Sequence, residues 1–186
     1  FTEVYTSPDD WTVTSSKTSE YFPVGFALVR DTSRWNRLLP VGGARMRIEA
    51  TQAVPAAHGL SFTEYNGETQ NYWGMLDGFS LATRLWGSLS TGPDRRWYYL
   101  GGRYSIRALS VASQSENAAI LSNNEARFDL ARHMDLNMPL LPILLTDLQG
   151  IFFIDMGAGF DPKEPVTMNT FRPASIGAGI NFIGFV

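Results

Sequence analysis

Charged side chains are the chemically capable groups this chain has in quantity: 15 Lys plus Arg stand against 18 Asp plus Glu, with two histidines and no cysteine. Without cysteine there is no disulfide framework, no thiolate metal site and no thiol nucleophile. His58 sits between Ala57 and Gly59 and reads as part of a turn; His133, next to Arg132, reads as solvated. Glu64 with Glu68, and Asp9 with Asp10, are spaced as paired acids, but nothing sets them across a cleft, and they read as exposed carboxylates. Gly101-Gly102 is not followed by Gly-Lys-Ser/Thr, so it is no phosphate loop, and the chain holds no Gly-x-Ser-x-Gly elbow. No motif points to an enzyme. What remains is Arg107 with Glu125 and Asp155. A guanidinium keeps its charge, and its planar fork matches a carboxylate bidentately. By residue type alone these three are unrelated surface charges.

The elements that could bring them together are strands. The chain has 186 residues, a single domain or a piece of a larger one, with 44% hydrophobic residues, 13% aromatics and 17 glycines. The net charge of −3 argues against a nucleic-acid partner. No run reaches the roughly 20 apolar residues of a membrane helix, but a β-barrel spans with strands that are apolar on one face only. From Ala44 to Val54 the even positions (Ala44, Met46, Ile48, Ala50) are mostly apolar and the odd ones (Arg45, Arg47, Glu49) charged. The split recurs from Asn123 to Leu130, with Asn123, Glu125, Arg127 and Asp129 on one side and Ala126, Phe128 and Leu130 on the other. In Phe152–Phe160 and Ala174–Phe182 the even face is greasy and the odd face carries Asp155, Gly157, Gly159, Ser175, Gly177 and Gly179. Repeated glycine on one face predicts another part of the chain approaching closely there. Weaker strand signals run over Glu20–Asp31, Leu60–Leu76, Gly78–Leu89 and Thr2–Thr14. Val111–Ser122 and Ala131–Met138 could each hold a helical turn or two. Pattern alone leaves two architectures open, a membrane barrel and a soluble β-sandwich.

Five segments, in order, favour the barrel. Leu100-Gly101-Gly102-Arg103-Tyr104-Ser105-Ile106-Arg107-Ala108 resembles the "GG…(V/I)-R-G" loop signature of BamA/TamA-type outer-membrane barrels, the bacterial surface antigen superfamily. Asn124-Glu125-Ala126-Arg127-Phe128-Asp129-Leu130 resembles the family's "E-x-R-(F/Y)-x-L" strand, and Phe152-Phe153-Ile154-Asp155-Met156-Gly157 its "F-x-D-x-G" strand. Val29 to Arg45 resembles its "DT-R…P-x-G-x-R" hairpin, and Ser175 to Ile180 its "S-x-G-x-G-(L/I)" strand. The departures are Ala108 and Leu109, where the family has Gly and then an aromatic residue.

The resemblance implies an all-β fold: an antiparallel, up-and-down transmembrane β-barrel. Residues 1–186 would supply about seven or eight strands of a larger barrel and would not close. The start at Phe1 fits a fragment, with further barrel strands and periplasmic domains absent. It implies residence in the bacterial outer membrane, contact with outer-membrane lipid, and a client or passenger polypeptide as partner. The expected work is protein insertion or translocation, assisting assembly or export of outer-membrane proteins, without cofactor, nucleotide or metal. A membrane-anchoring barrel for a fused passenger domain and a soluble β-sandwich binding module are the alternatives. The family loop folds back into the lumen, so Arg107 is expected to meet Glu125 or Asp155, with Asp155 preferred, as a structural latch. Gly101, Gly102, Ile106 and Ala108 would shape the loop, and Gly157, Gly159, Gly177 and Gly179 would admit it. Met46, Ile48, Phe128, Ile154, Met156, Ile176, Ile180 and Phe182 are expected on the lipid side.

Overall fold

The computed structural model describes residues 2–3, 17–18, 21–36, 39–55, 59–111, 114–131, 134–137, 142–163 and 174–185. They form thirteen strands and no helix: β1 (Thr2–Glu3), β2 (Lys17–Thr18), β3 (Tyr21–Asp31), β4 (Arg34–Asn36), β5 (Leu39–Pro55), β6 (Phe62–Leu76), β7 (Phe79–Thr91), β8 (Tyr98–Leu100), β9 (Gln114–Glu116), β10 (Ala118–Ala131), β11 (Met134–Asn137), β12 (Pro142–Phe160) and β13 (Ala174–Phe185). Seven of these are long, from 11 residues in β3 to 19 in β12. Strands of soluble sheets usually have about 5–6.

The long strands make one antiparallel meander, β3-β5-β6-β7-β10-β12-β13, in which each pairs with the next long strand along the chain. Short β4 and β11 extend β5 and β12. The sheet is open, and β3 and β13 are its two edges. Two further two-stranded pieces, β1-β2 and β8-β9, stand apart from it.

Two regions differ from the sequence expectation. The segments 111–122 and 131–138 hold no helix among the described residues; they supply β9, most of the start of β10, and β11. Ala118 to Leu121 is a good helix former in isolation, but its backbone pairs with β7 on one side and β12 on the other, and that pairing overrides propensity. β12 begins ten residues before Phe152. Pro142 does not prevent this because it is the first residue of the strand, where a missing N–H is tolerated. Most of the proposed Thr2–Thr14 strand, together with Asp9, Asp10, His58 and His133, lies outside the described residues.

The register sorts side chains by face. One row reads Ser175, Asp155, Asn123, Arg84, Gln70, Arg45, Asp31 across all seven long strands. The opposite face carries Ile176, Ile154, Met156, Leu85, Tyr65, Ile48, Phe26 and Leu28, every one of them exposed. Met46 and Phe128 lie on it half-buried, while the Phe182 side chain is outside the described set. Among described residues of this face the single charge is Arg30, near the end of β3. The buried apolar cluster sits on the charged side, where Leu100 and Ile106 pack onto Ala119 and Leu121. The sheet therefore has its core beneath a loop, and among the described residues no other element covers its greasy face.

Candidate functional site

The loop responsible runs from β7 to β10. Gly92 leaves β7 at φ 116°, and a Cβ there would come 2.9 Å from the Ser61 carbonyl oxygen. β8 and β9 then pair, so the segment between them becomes a compact turn. Alternation along β8 turns Tyr98 and Leu100 to the sheet: Tyr98 packs edge-on against Trp86 with centroids 6.0 Å apart, and its hydroxyl donates to Glu64 at 2.9 Å. Burial raises the Tyr98 phenol well above its usual pKa, with the neighbouring Glu64 acting in the same direction. Gly101 and Gly102 both take positive φ, at 117° and 90°, a conformation costly for any residue with a Cβ. The turn closes through Gly102 N–H to Leu109 O, Ser105 N–H to Gly102 O and Leu109 N–H to Ile106 O. Ile106 is fully buried and pins the turn to the wall, while Ala108 points to solvent.

Pinning Ile106 delivers its neighbour. The Arg107 guanidinium donates through Nε to Asp155 Oδ2 at 2.8 Å and through Nη2 to Oδ1 at 2.7 Å, the two-point geometry of an arginine–carboxylate fork. Nη1 donates to Glu125 Oε1 at 2.8 Å. The Arg107 backbone N–H adds a bond of 3.1 Å to Asp155 Oδ2. Arg107 thus engages both carboxylates of the expected latch at once, with the two-point fork on Asp155, the preferred partner.

Asp155 is completely buried and well supplied with donors. Asn123 Nδ2 donates to it at 2.8 Å and Ser175 Oγ at 3.1 Å, so β10 and β13 both hold the carboxylate that β12 carries. The same Asn123 amide donates to the Ser105 carbonyl at 2.8 Å. Glu125 is shared, its Oε2 accepting from Arg127 Nε and Nη2 at 2.9 and 2.7 Å. Two guanidinium groups face two carboxylates, and the cluster is neutral. Burial opposes the charge on Arg107, but the hydrogen bonds to Asp155 and the field of Glu125 outweigh it and raise its pKa further. No proton transfer is available from such a group. This arrangement ties the loop to β10, β12 and β13.

Several participants escaped sequence reasoning. Asn123 shares the parity of Glu125, which was a usable signal. Ser175 becomes a neighbour of Asp155 only through cross-strand register, and Phe153 becomes a neighbour of Arg107 only because the loop docks on the sheet. Glu64 and Glu68, read as bare carboxylates, are engaged: Glu64 lies 3.7 Å from Arg96, and Glu68 accepts from Arg84 Nε at 2.6 Å. Both sit on the charged face beneath or beside the loop, and nearby arginines claim them.

The four glycines divide. A Cβ on Gly157 would lie 3.1 Å from Ile106 Cδ1, and one on Gly159 would lie 3.1 Å from Glu116 Cβ, so both admit the loop segment. Gly177 admits the Phe153 ring, 2.5 Å from such a Cβ. Gly179 corrects the expectation: nothing comes within 4 Å, because it lies exposed on edge strand β13 beyond the loop. No protein-family model matches this chain, and a search of curated proteins finds no similar one.

Proposed function

We propose that this chain is part of an outer-membrane β-barrel of the BamA/TamA type, serving protein insertion or translocation. The loop carrying Arg107 would be latched to the lumen wall. The observation that carries this reading is the combination of a loop folded onto the charged face, with Arg107 forked on Asp155, and an uncovered apolar face behind it. A water-soluble sheet buries its apolar face; one that leaves it bare fits a lipid surround. The charged face would then line the lumen. The work is mechanical: strand edges offer unpaired backbone groups to which a client strand can add, so neither nucleotide nor cofactor is called for.

The alternative within the same architecture, a barrel anchoring a passenger domain, uses the same latch and differs in the neighbouring domains. A soluble sandwich would need a second sheet over Ile154 and Ile176, and among the described residues none packs there. The test is fractionation of the full-length protein followed by depletion. Recovery only in detergent, heat-modifiable gel mobility, and loss of other outer-membrane proteins on depletion are the expected results. Recovery in the aqueous fraction would overturn the membrane reading. Normal outer-membrane protein levels on depletion would overturn the insertion reading and leave anchoring.

A further inference from the structure

Beneath the tip of the loop, between Tyr104 and the strands β6, β7 and β10, lies a cleft of about 220 Å3. Arg84, Arg103, Arg107 and Arg127 line it, with Glu125 as its acid. Three of these arginines are matched: Arg84 by Glu68 at 2.6 Å, Arg107 by Asp155 at 2.7 Å, and Arg127 by Glu125 at 2.7 Å. Arg103 has no carboxylate partner among the described residues and stands exposed at the mouth. Four guanidinium groups thus meet three carboxylates, and the surplus positive charge falls at the opening.

Donor capacity is left over as well. Arg127 spends Nε and Nη2 on Glu125, and Arg84 spends Nε on Glu68 and Nη1 on Tyr104 O and Asn123 Oδ1. Arg127 Nη1 and Arg84 Nη2 make no hydrogen bond to the described residues. A guanidinium has five N–H donors and no acceptor. The species that satisfies surplus N–H groups and surplus positive charge together is an oxyanion.

We infer that this cleft binds a single oxyanion group, a carboxylate or a phosphate, held at the mouth by Arg103 and inside by the free N–H groups of Arg84 and Arg127. The volume suits one such group on a tether, an acidic side chain of an extended polypeptide or a lipid phosphate, and is too small for a folded partner. The inference deepens the lumen reading, since on that reading an acidic stretch of client chain would pass the loop tip here. The site itself stands on the arginines and would exist whether or not the protein handles clients.

The experiment uses full-length protein in an uncharged detergent at fixed ionic strength, with inorganic phosphate as probe and its 31P line width as readout. Saturable broadening by the native protein is expected. Arg103→Ala should weaken it about tenfold and Arg103→Lys much less, because an ammonium still serves phosphate as a point charge. Arg30→Ala, on the opposite face, should change nothing. Unaltered heat-modifiable mobility of Arg103→Ala shows that its fold is intact. Competition by a short Glu-rich peptide but not by a lysophospholipid assigns the site to polypeptide carboxylates, and the reverse assigns it to lipid. No saturable broadening, or equal broadening with Arg103→Ala, would overturn the site. Phosphate binding alongside normal outer-membrane protein levels on depletion would leave the site standing and remove the insertion reading instead.

Discussion

The Arg107 guanidinium sits over the Phe153 ring, its Cζ 3.7 Å from the ring centroid. Phe153 neighbours Asp155 on the same face of β12, so one strand supplies both the carboxylate that the Arg107 fork grips and the ring on which the fork rests. The ring has a second neighbour on its other flank, the Cβ-less position of Gly177. The stack fixes the plane of the guanidinium, and the carboxylates fix its rotation within that plane. Phe153→Leu keeps apolar bulk and removes the π face. It should cost about 1–2 kcal/mol in reversible unfolding and leave the latch formed. An unchanged midpoint would show that the ring merely fills space.

The latch itself is tested by a double-mutant cycle. Arg107→Ala leaves a buried Asp155 without its main partner and should cost about 3–5 kcal/mol. Arg107→Lys should recover part of this, lacking the planar fork. Combining Arg107→Ala with Asp155→Ala should cost at least about 1 kcal/mol less than the two singles added. Strict additivity in the unfolding free energies would detach these residues from one another.

Glycine tolerance should follow the neighbours rather than the motif. Gly177→Ala drives a methyl into the Phe153 ring and should destabilise by about 1–3 kcal/mol, displacing Arg107 with it. Gly179→Ala meets open space and should be neutral or slightly stabilising, since a strand gains from losing a glycine. Equal effects in thermal scans would contradict the assignment.

Ile106 anchors the turn, with no exposed surface. Ile106→Ala should cost about 2–5 kcal/mol through the cavity it leaves against Ala119 and Leu121. It should also expose the turn to limited proteolysis. Protease resistance equal to the native protein would mean that the arginine alone holds the turn.

The two faces of β5 give a test of lipid contact within one strand. Ile48→Lys, on the apolar face, should cost about 2–4 kcal/mol when the protein is unfolded from lipid vesicles. Thr51→Lys, on the charged face, should cost little. Comparable costs at the two positions would count against a bilayer around the sheet.

How far the sequence foretold this can be judged strand by strand. Arg45, Arg47 and Glu49 alternate with Met46 and Ile48 over enough residues to declare both the strand and its faces, because period two is written directly into residue order. β8 and β9, with three residues each, are too short to show a period, and their existence depends on the wall they pack against. The Arg107 cluster was legible only through the order of its motifs. Parity could place Glu125 and Asp155 on one face. It could not bring Ser175 opposite Asp155, since that contact is set by the register between β12 and β13, which local residue order does not encode. The apparent helical bias of Ala118 to Leu121 misled for the same reason: both pairing partners lie far away in the chain.

The number of steps across the sheet carries a constraint of its own. Six antiparallel pairings separate β3 from β13, so the two free edges point the same way. They cannot meet each other antiparallel. Any seamless antiparallel cylinder that contains this sheet must interpose an odd number of additional strands between them, and its total must be even. Two copies of the sheet could join edge to like edge, β3 to β3 and β13 to β13, but such a ring would carry its two Arg107 turns at opposite mouths. A cylinder carrying its Arg107 turn at one mouth only therefore needs strands of a different sequence to complete it.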